Sequence, residues 1–124
     1  MSASNFRLPY SSFAPPGSVQ VSPAAFTMAK ELALEVARKR NDTGWSLCFE
    51  WGDSRRIRRN FGPQEELGPG LDLNVLDAGL LPDGVLQTID ELTFAIRISR
   101  HIYEASQYRL IDVDPTAYSK LTLR

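Results

Sequence analysis

The chain has 124 residues, 43% of them hydrophobic and 23% charged, which fits one soluble globular domain and leaves no room for two full ones. Its 14 basic and 15 acidic side chains nearly cancel to a net charge of -1, which argues against a general nucleic-acid coat protein. One cysteine, Cys48, and one histidine, His101, exclude an intrachain disulfide and a Cys/His zinc site within one chain.

Residues 1–18 read as an irregular arm, because Ser, Pro and Gly are frequent and Pro15-Pro16-Gly17 breaks both helix and strand. Phe6, Tyr10 and Phe13 are the arm's candidates for docking on the body, a single domain expected over 19–124. Val19-Gln20-Val21 is a short strand. Ser22-Pro23 then marks a helix start: a capping hydroxyl is followed by a proline at the first helical position, where no amide bond is lost. The helix runs to about Arg40. Phe26, Ala29, Ala33, Val36 and Ala37 give it one apolar stripe, and Arg38, Lys39 and Arg40 suit the negative end of its dipole.

Trp45 to Trp51 alternates strictly, with Trp45, Leu47, Phe49 and Trp51 on one face and Ser46, Cys48 and Glu50 on the other. Gly52-Asp53 reads as the opening of a turn. Ser54 to Asn60 is dense in arginine, and Phe61 to Gly70, with two prolines and three glycines, reads as loop. Leu71 to Leu76 alternates again, Asp77 to Gly84 is loop, and Val85 to Asp90 fits either a turn of helix or a strand. Leu92 to Ile98 is the clearest strand, with Leu92, Phe94, Ile96 and Ile98 on one face. Ser99 is the expected cap of a short helix through about Ala105; Tyr108 to Val113 and Ser119 to Leu123 are the closing strands. This order predicts an α+β fold: a small mixed or antiparallel sheet with one long N-terminal helix and one short helix.

Three segments resemble the HesB-like family of A-type iron–sulfur cluster carriers. Val19 to Ala25 is similar to that family's opening strand and capped first helix, and Gly44 to Trp51 to its next strand. Leu92 to Ser99, Tyr103, and Arg109-Leu110-Ile111-Asp112 resemble its later strand, short helix and following strand. The resemblance implies a cluster held by three cysteines, the first falling at or near Ser54 and the other two in a C-terminal Cys-Gly-Cys element. A serine stands at the first position, and Arg124 is reached without the second element. Clusters need several thiolates, and a hydroxyl is a poor ligand for them. No cofactor is therefore expected.

The residue types that carry chemistry are few. Cys48 reads as a buried, inert thiol or as a ligand shared across a dimer. His101 follows Arg100 in the short helix and has no nucleophile at a recognisable spacing, so the chain is expected not to be an enzyme. Arg55, Arg56, Arg58 and Arg59 put four guanidiniums in five residues. Nearby Asp53, Glu50, Glu65 and Glu66 can pair with them; the alternative is recognition of an anion. Trp45, Phe49 and Trp51 read as core, or as the wall of a pocket or interface.

These features predict a non-catalytic HesB-like domain that serves as a binding or regulatory module. An anion- or nucleic-acid-binding protein using the Arg55–Arg59 patch is the alternative. The expected partner is a protein or an anionic ligand, with nucleic acid disfavoured by net charge and a homodimer left open. No apolar run approaches the roughly 20 residues that span a bilayer. The first 18 residues lack the apolar stretch of a signal peptide, so a cytoplasmic location is expected.

Overall fold

The computed structural model describes residues 6–58, 62–107 and 109–124. Arg59, Asn60, Phe61 and Tyr108, which carry part of the expected arginine patch, loop and strand, lie outside these. The chain is α+β: among the described residues, seven strands form two mixed sheets around one long and one short helix.

Strand β1 (Gln20–Val21) leads into helix α1 (Pro23–Lys39). Ser22 caps the helix as its residue type dictates, its hydroxyl accepting from the Ala25 amide at 3.1 Å. Strand β2 (Trp45–Arg58) pairs antiparallel with β3 (Gln64–Asp77). The hairpin β4 (Gln87–Ile89) and β5 (Leu92–Arg97) follows, then helix α2 (Arg100–Ser106), β6 (Leu110–Val113) and β7 (Leu121–Leu123). One sheet has the order β3-β2-β5-β4 and the other β1-β6-β7, with β2 parallel to β5 and β1 parallel to β6.

The central sheet is buried on both faces around β2 and β5. On one side Leu47, Phe49, Phe94 and Ile96 pack with Ala25 and Ala29 of α1, and the Phe49 and Phe94 rings meet edge to face at 5.8 Å. Burial of each ring is worth about 1.5–3 kcal/mol. On the other side Cys48 and Ala95 lie under Phe13, Leu81 and Val85. The arm therefore completes a core: Phe13 and Ala14 are buried, and the Ala14 amide bonds the Ile96 carbonyl at 2.9 Å. Phe6 and Tyr10 stay largely exposed.

Several expected boundaries move. No turn opens at Gly52-Asp53, and 64–70 is not loop. Both belong to the long hairpin, whose register continues through Arg55↔Gly68, Arg56↔Glu66 and Arg58↔Gln64. Irregularities between Gly52 and Arg56 absorb the breakers, and Pro69 falls in the interrupted part of the ladder, where a missing amide is tolerated. Ser99 precedes α2 but makes no capping bond, because its hydroxyl contacts His101 Nδ1 at 3.1 Å. Within 85–90, residues Gln87–Ile89 form strand β4 and no helical turn appears. Ala37 is exposed although it continues the apolar stripe, because α1 runs on beyond the part covered by the sheet.

Candidate functional site

The hairpin disperses the arginine cluster. Arg55 folds back along β3: its Nε donates to the Gly68 carbonyl at 3.1 Å and its Nη1 to Asp72 at 3.0 Å, leaving the side chain 13% exposed. It passes over Gly70, where a Cβ would strike the guanidinium. Two residues further along the same face of β3, Asn74 donates to Glu50 at 2.8 Å, and Glu50 also takes Arg97 at 3.0 Å. The Arg55–Asp72 and Arg97–Glu50 pairs answer charge with charge across the sheet. Arg56 is exposed opposite Glu66, whose carboxylate accepts from Ser54 Oγ at 3.4 Å. Arg58 is placed only by its register with Gln64. Arg55 is thus committed internally, and Arg56 is exposed.

Cys48 and Ser54 do not converge. They lie six positions apart on β2, roughly 20 Å at the rise of a β-strand. The Cys48 sulfur is fully buried and directed at the Phe49 carbonyl at 3.7 Å. Burial, reinforced by the Glu50 carboxylate, pushes the thiol well above its ordinary range. His101 is exposed on α2. Among the described residues no three His, Cys, Asp or Glu side chains gather as a metal site. An exposed hydroxyl and a buried thiol do not fit an iron–sulfur cluster.

The structure draws together a different set of residues. A groove of about 330 Å³ lies between the exposed side of α1 and the start of β5, floored by Ala33, Leu34, Ala37, Trp45 and Leu92. Alanines at one-turn spacing keep the helix surface low, which leaves the hollow. The Trp45 indole N–H donates to the Asp42 carbonyl at 3.0 Å, so the ring is held in place on the groove wall. Leu34 is 66% exposed. Ile89, 45% exposed and paired in register with Leu92, extends the apolar surface onto β4.

Charges stand around this floor. Lys30, Asp90 and Glu91 line the groove, and Glu31 lines the adjoining hollow with Leu34, Glu35 and Arg38. Lys30 Nζ lies over the Phe26 ring at 5.7 Å, and Glu35 is held by Lys39 at 2.8 Å. Asp90 and Glu91 form the two-residue turn between β4 and β5, both with positive φ, at 47° and 69°. Two successive left-handed residues suit the right-handed twist of a hairpin.

Sequence reasoning placed Trp45 either in the core or on an interface wall, and missed the rest of the groove. Leu34 off the helical stripe was the available signal. Asp90 and Glu91 are brought to α1 by the sheet, which no local pattern reports. Comparison with known proteins finds no matching family model, no matching characterised protein and no matching solved structure. No helix among the described residues is long and apolar enough to cross a membrane.

Proposed function

We propose that the chain is a non-catalytic binding module that docks an apolar segment of a partner protein in the groove between α1 and β5. The observation that carries it is Trp45: a large aromatic, fixed by its bond to Asp42, standing beside the exposed Leu34 over a small-residue floor. Binding energy concentrates on such anchored aromatics flanked by apolar contact. A regulatory role in the cytoplasm and a scaffold related to HesB-like carriers, without their cluster, belong to the same proposal. The relation rests on the segments Val19 to Ala25, Gly44 to Trp51, Leu92 to Ser99, Tyr103 and Arg109 to Asp112.

The test uses Trp51→Phe protein, in which Trp45 is the remaining indole. Titration with a neutral amphipathic Leu/Gln peptide of ~14 residues, a length that supplies i, i+3, i+4 and i+7 anchors, should shift Trp45 emission saturably. Leu34→Asp should abolish the shift. A shift that survives Leu34→Asp removes the groove from the function.

The alternative is anion or nucleic-acid binding by the basic hairpin, favoured by the exposure of Arg56. Salt-sensitive retention of a single-stranded oligonucleotide, lost in Arg56→Glu/Arg58→Glu, would support it.

A further inference from the structure

We infer that the segment docking in the α1–β5 groove is basic: an apolar anchor flanked by lysine or arginine. The inference rests on the docking proposal above and adds the partner's chemistry. Three carboxylates border the apolar floor, Asp90 and Glu91 on the β4–β5 turn and Glu31 on α1. None of the three has a cationic partner among the described residues. Of the other charges nearby, Glu35 is taken by Lys39 and Arg40 by Asp42 at 2.6 Å. Lys30, over the Phe26 ring, and Arg38 are the neighbouring cations on the α1 side without an ion pair among the described residues, so three carboxylates face two cations and the rim is acidic by one charge.

The carboxylates beside the apolar floor are what select the partner. On the central sheet Asp72 is paired with Arg55, and Glu50 with Arg97 and Asn74. Asp90, Glu91 and Glu31 have no such cation among the described residues. Apolar docking supplies contact area, and the unanswered carboxylates add attraction and register for a basic segment while repelling an acidic one. Asp90 and Glu91 form the two-residue turn beside Leu92, which places their charge at one end of the floor.

The experiment compares three peptides of ~14 residues with the same leucine anchors and Lys, Gln or Glu elsewhere, each titrated into Trp51→Phe protein and read by Trp45 emission. The turn variant Asp90→Asn/Glu91→Gly is run beside it, because Asn-Gly favours the same turn and removes both carboxylates. The Lys peptide should bind about tenfold more tightly than the Gln peptide at low salt. The gap should shrink in the turn variant and at ~0.5 M salt, where exposed charges are screened. The Glu peptide should be weakest. Equal affinity for the Lys and Gln peptides, both lost in Leu34→Asp, overturns the basic-partner inference and leaves groove docking standing. Lys-peptide binding that persists in Leu34→Asp overturns both. Concentration-dependent self-association lost in Leu34→Asp makes a second copy the occupant and also overturns the inference.

Discussion

The Arg55 guanidinium occupies the space that a side chain at Gly70 would need. The glycine lets the arginine lie flat along β3, so that its Nε reaches the Gly68 carbonyl and its Nη1 reaches Asp72. This arrangement removes one member of the arginine cluster from the surface and uses it to hold the irregular part of the hairpin. Gly70→Ala should displace the guanidinium and cost about 1–3 kcal/mol, the range for losing a partly buried charged hydrogen bond. In an Arg55→Ala background the same Gly70 change should cost much less. A double-mutant cycle by urea unfolding measures the difference, and additive effects would show that the two positions act independently.

Ser22 joins two elements at once. Its hydroxyl accepts from the Ala25 amide to cap α1, and its own amide donates to the Ile111 carbonyl of β6 at 2.8 Å. The neighbouring Ser22 hydroxyl, with the Val113 amide at 2.8 Å and Arg124 adding to it, holds the Asp112 carboxyl below the usual carboxylate range. Ser22→Ala should cost about 1 kcal/mol as a lost cap. The pH dependence has a definite sign. A folded-state value below the unfolded one means that Asp112 stabilises the fold above about pH 4, and that this contribution fades as pH falls through the lowered value. Thermal melts of the parent and Asp112→Asn should therefore converge on acidification below about pH 4. A gap that widens there contradicts the assignment.

The β4–β5 turn carries backbone strain that its residues do not need. Asp90 and Glu91 both sit at positive φ, which costs an ordinary L-residue about 1–2 kcal/mol. Glycine relieves that strain and gives back about 0.5–1 kcal/mol in the entropy of the unfolded chain. Asp90→Asn/Glu91→Gly should raise stability by about 1 kcal/mol, measured by chemical denaturation. A lower stability would mean that the two carboxylates hold the turn through contacts of their own.

What the sequence discloses and what it hides divide along a physical line. The Ser22-Pro23 start of α1, the alternation of Trp45 to Trp51 and the strand from Leu92 were legible because a few adjacent residues dictate them. The same rules misplace Gly52-Asp53 and 64–70, where Gly52, Gly68, Pro69 and Gly70 read as breakers. In three dimensions an irregularity in the ladder absorbs them and Arg55 requires Gly70 to be small. The groove was hidden for a different reason. It joins Leu34, Trp45 and Glu91, which only the packing of α1 on the central sheet brings together. Trp45 itself could be read either way, since an alternating strand face looks alike whether a helix covers it fully or in part.

Cys48 tests both the second core and the fate of the carrier chemistry implied by the HesB-like resemblance. The thiol is enclosed with Phe13, Leu81, Val85 and Ala95, and burial keeps it protonated. The thiolate is the nucleophile, so iodoacetamide should modify native protein only as fast as the core opens, and denaturant should accelerate the reaction. Modification at the rate of a free thiol would mean that the arm does not hold Phe13 over the sheet. Anaerobic incubation with iron and sulfide should then leave the protein without stoichiometric iron and without a cluster spectrum, because a buried thiol and the distant, exposed Ser54 cannot share one cluster. Stoichiometric iron lost in Cys48→Ala would require the second core to open and two copies to meet across it. That outcome would replace groove docking by cluster binding as the function to pursue.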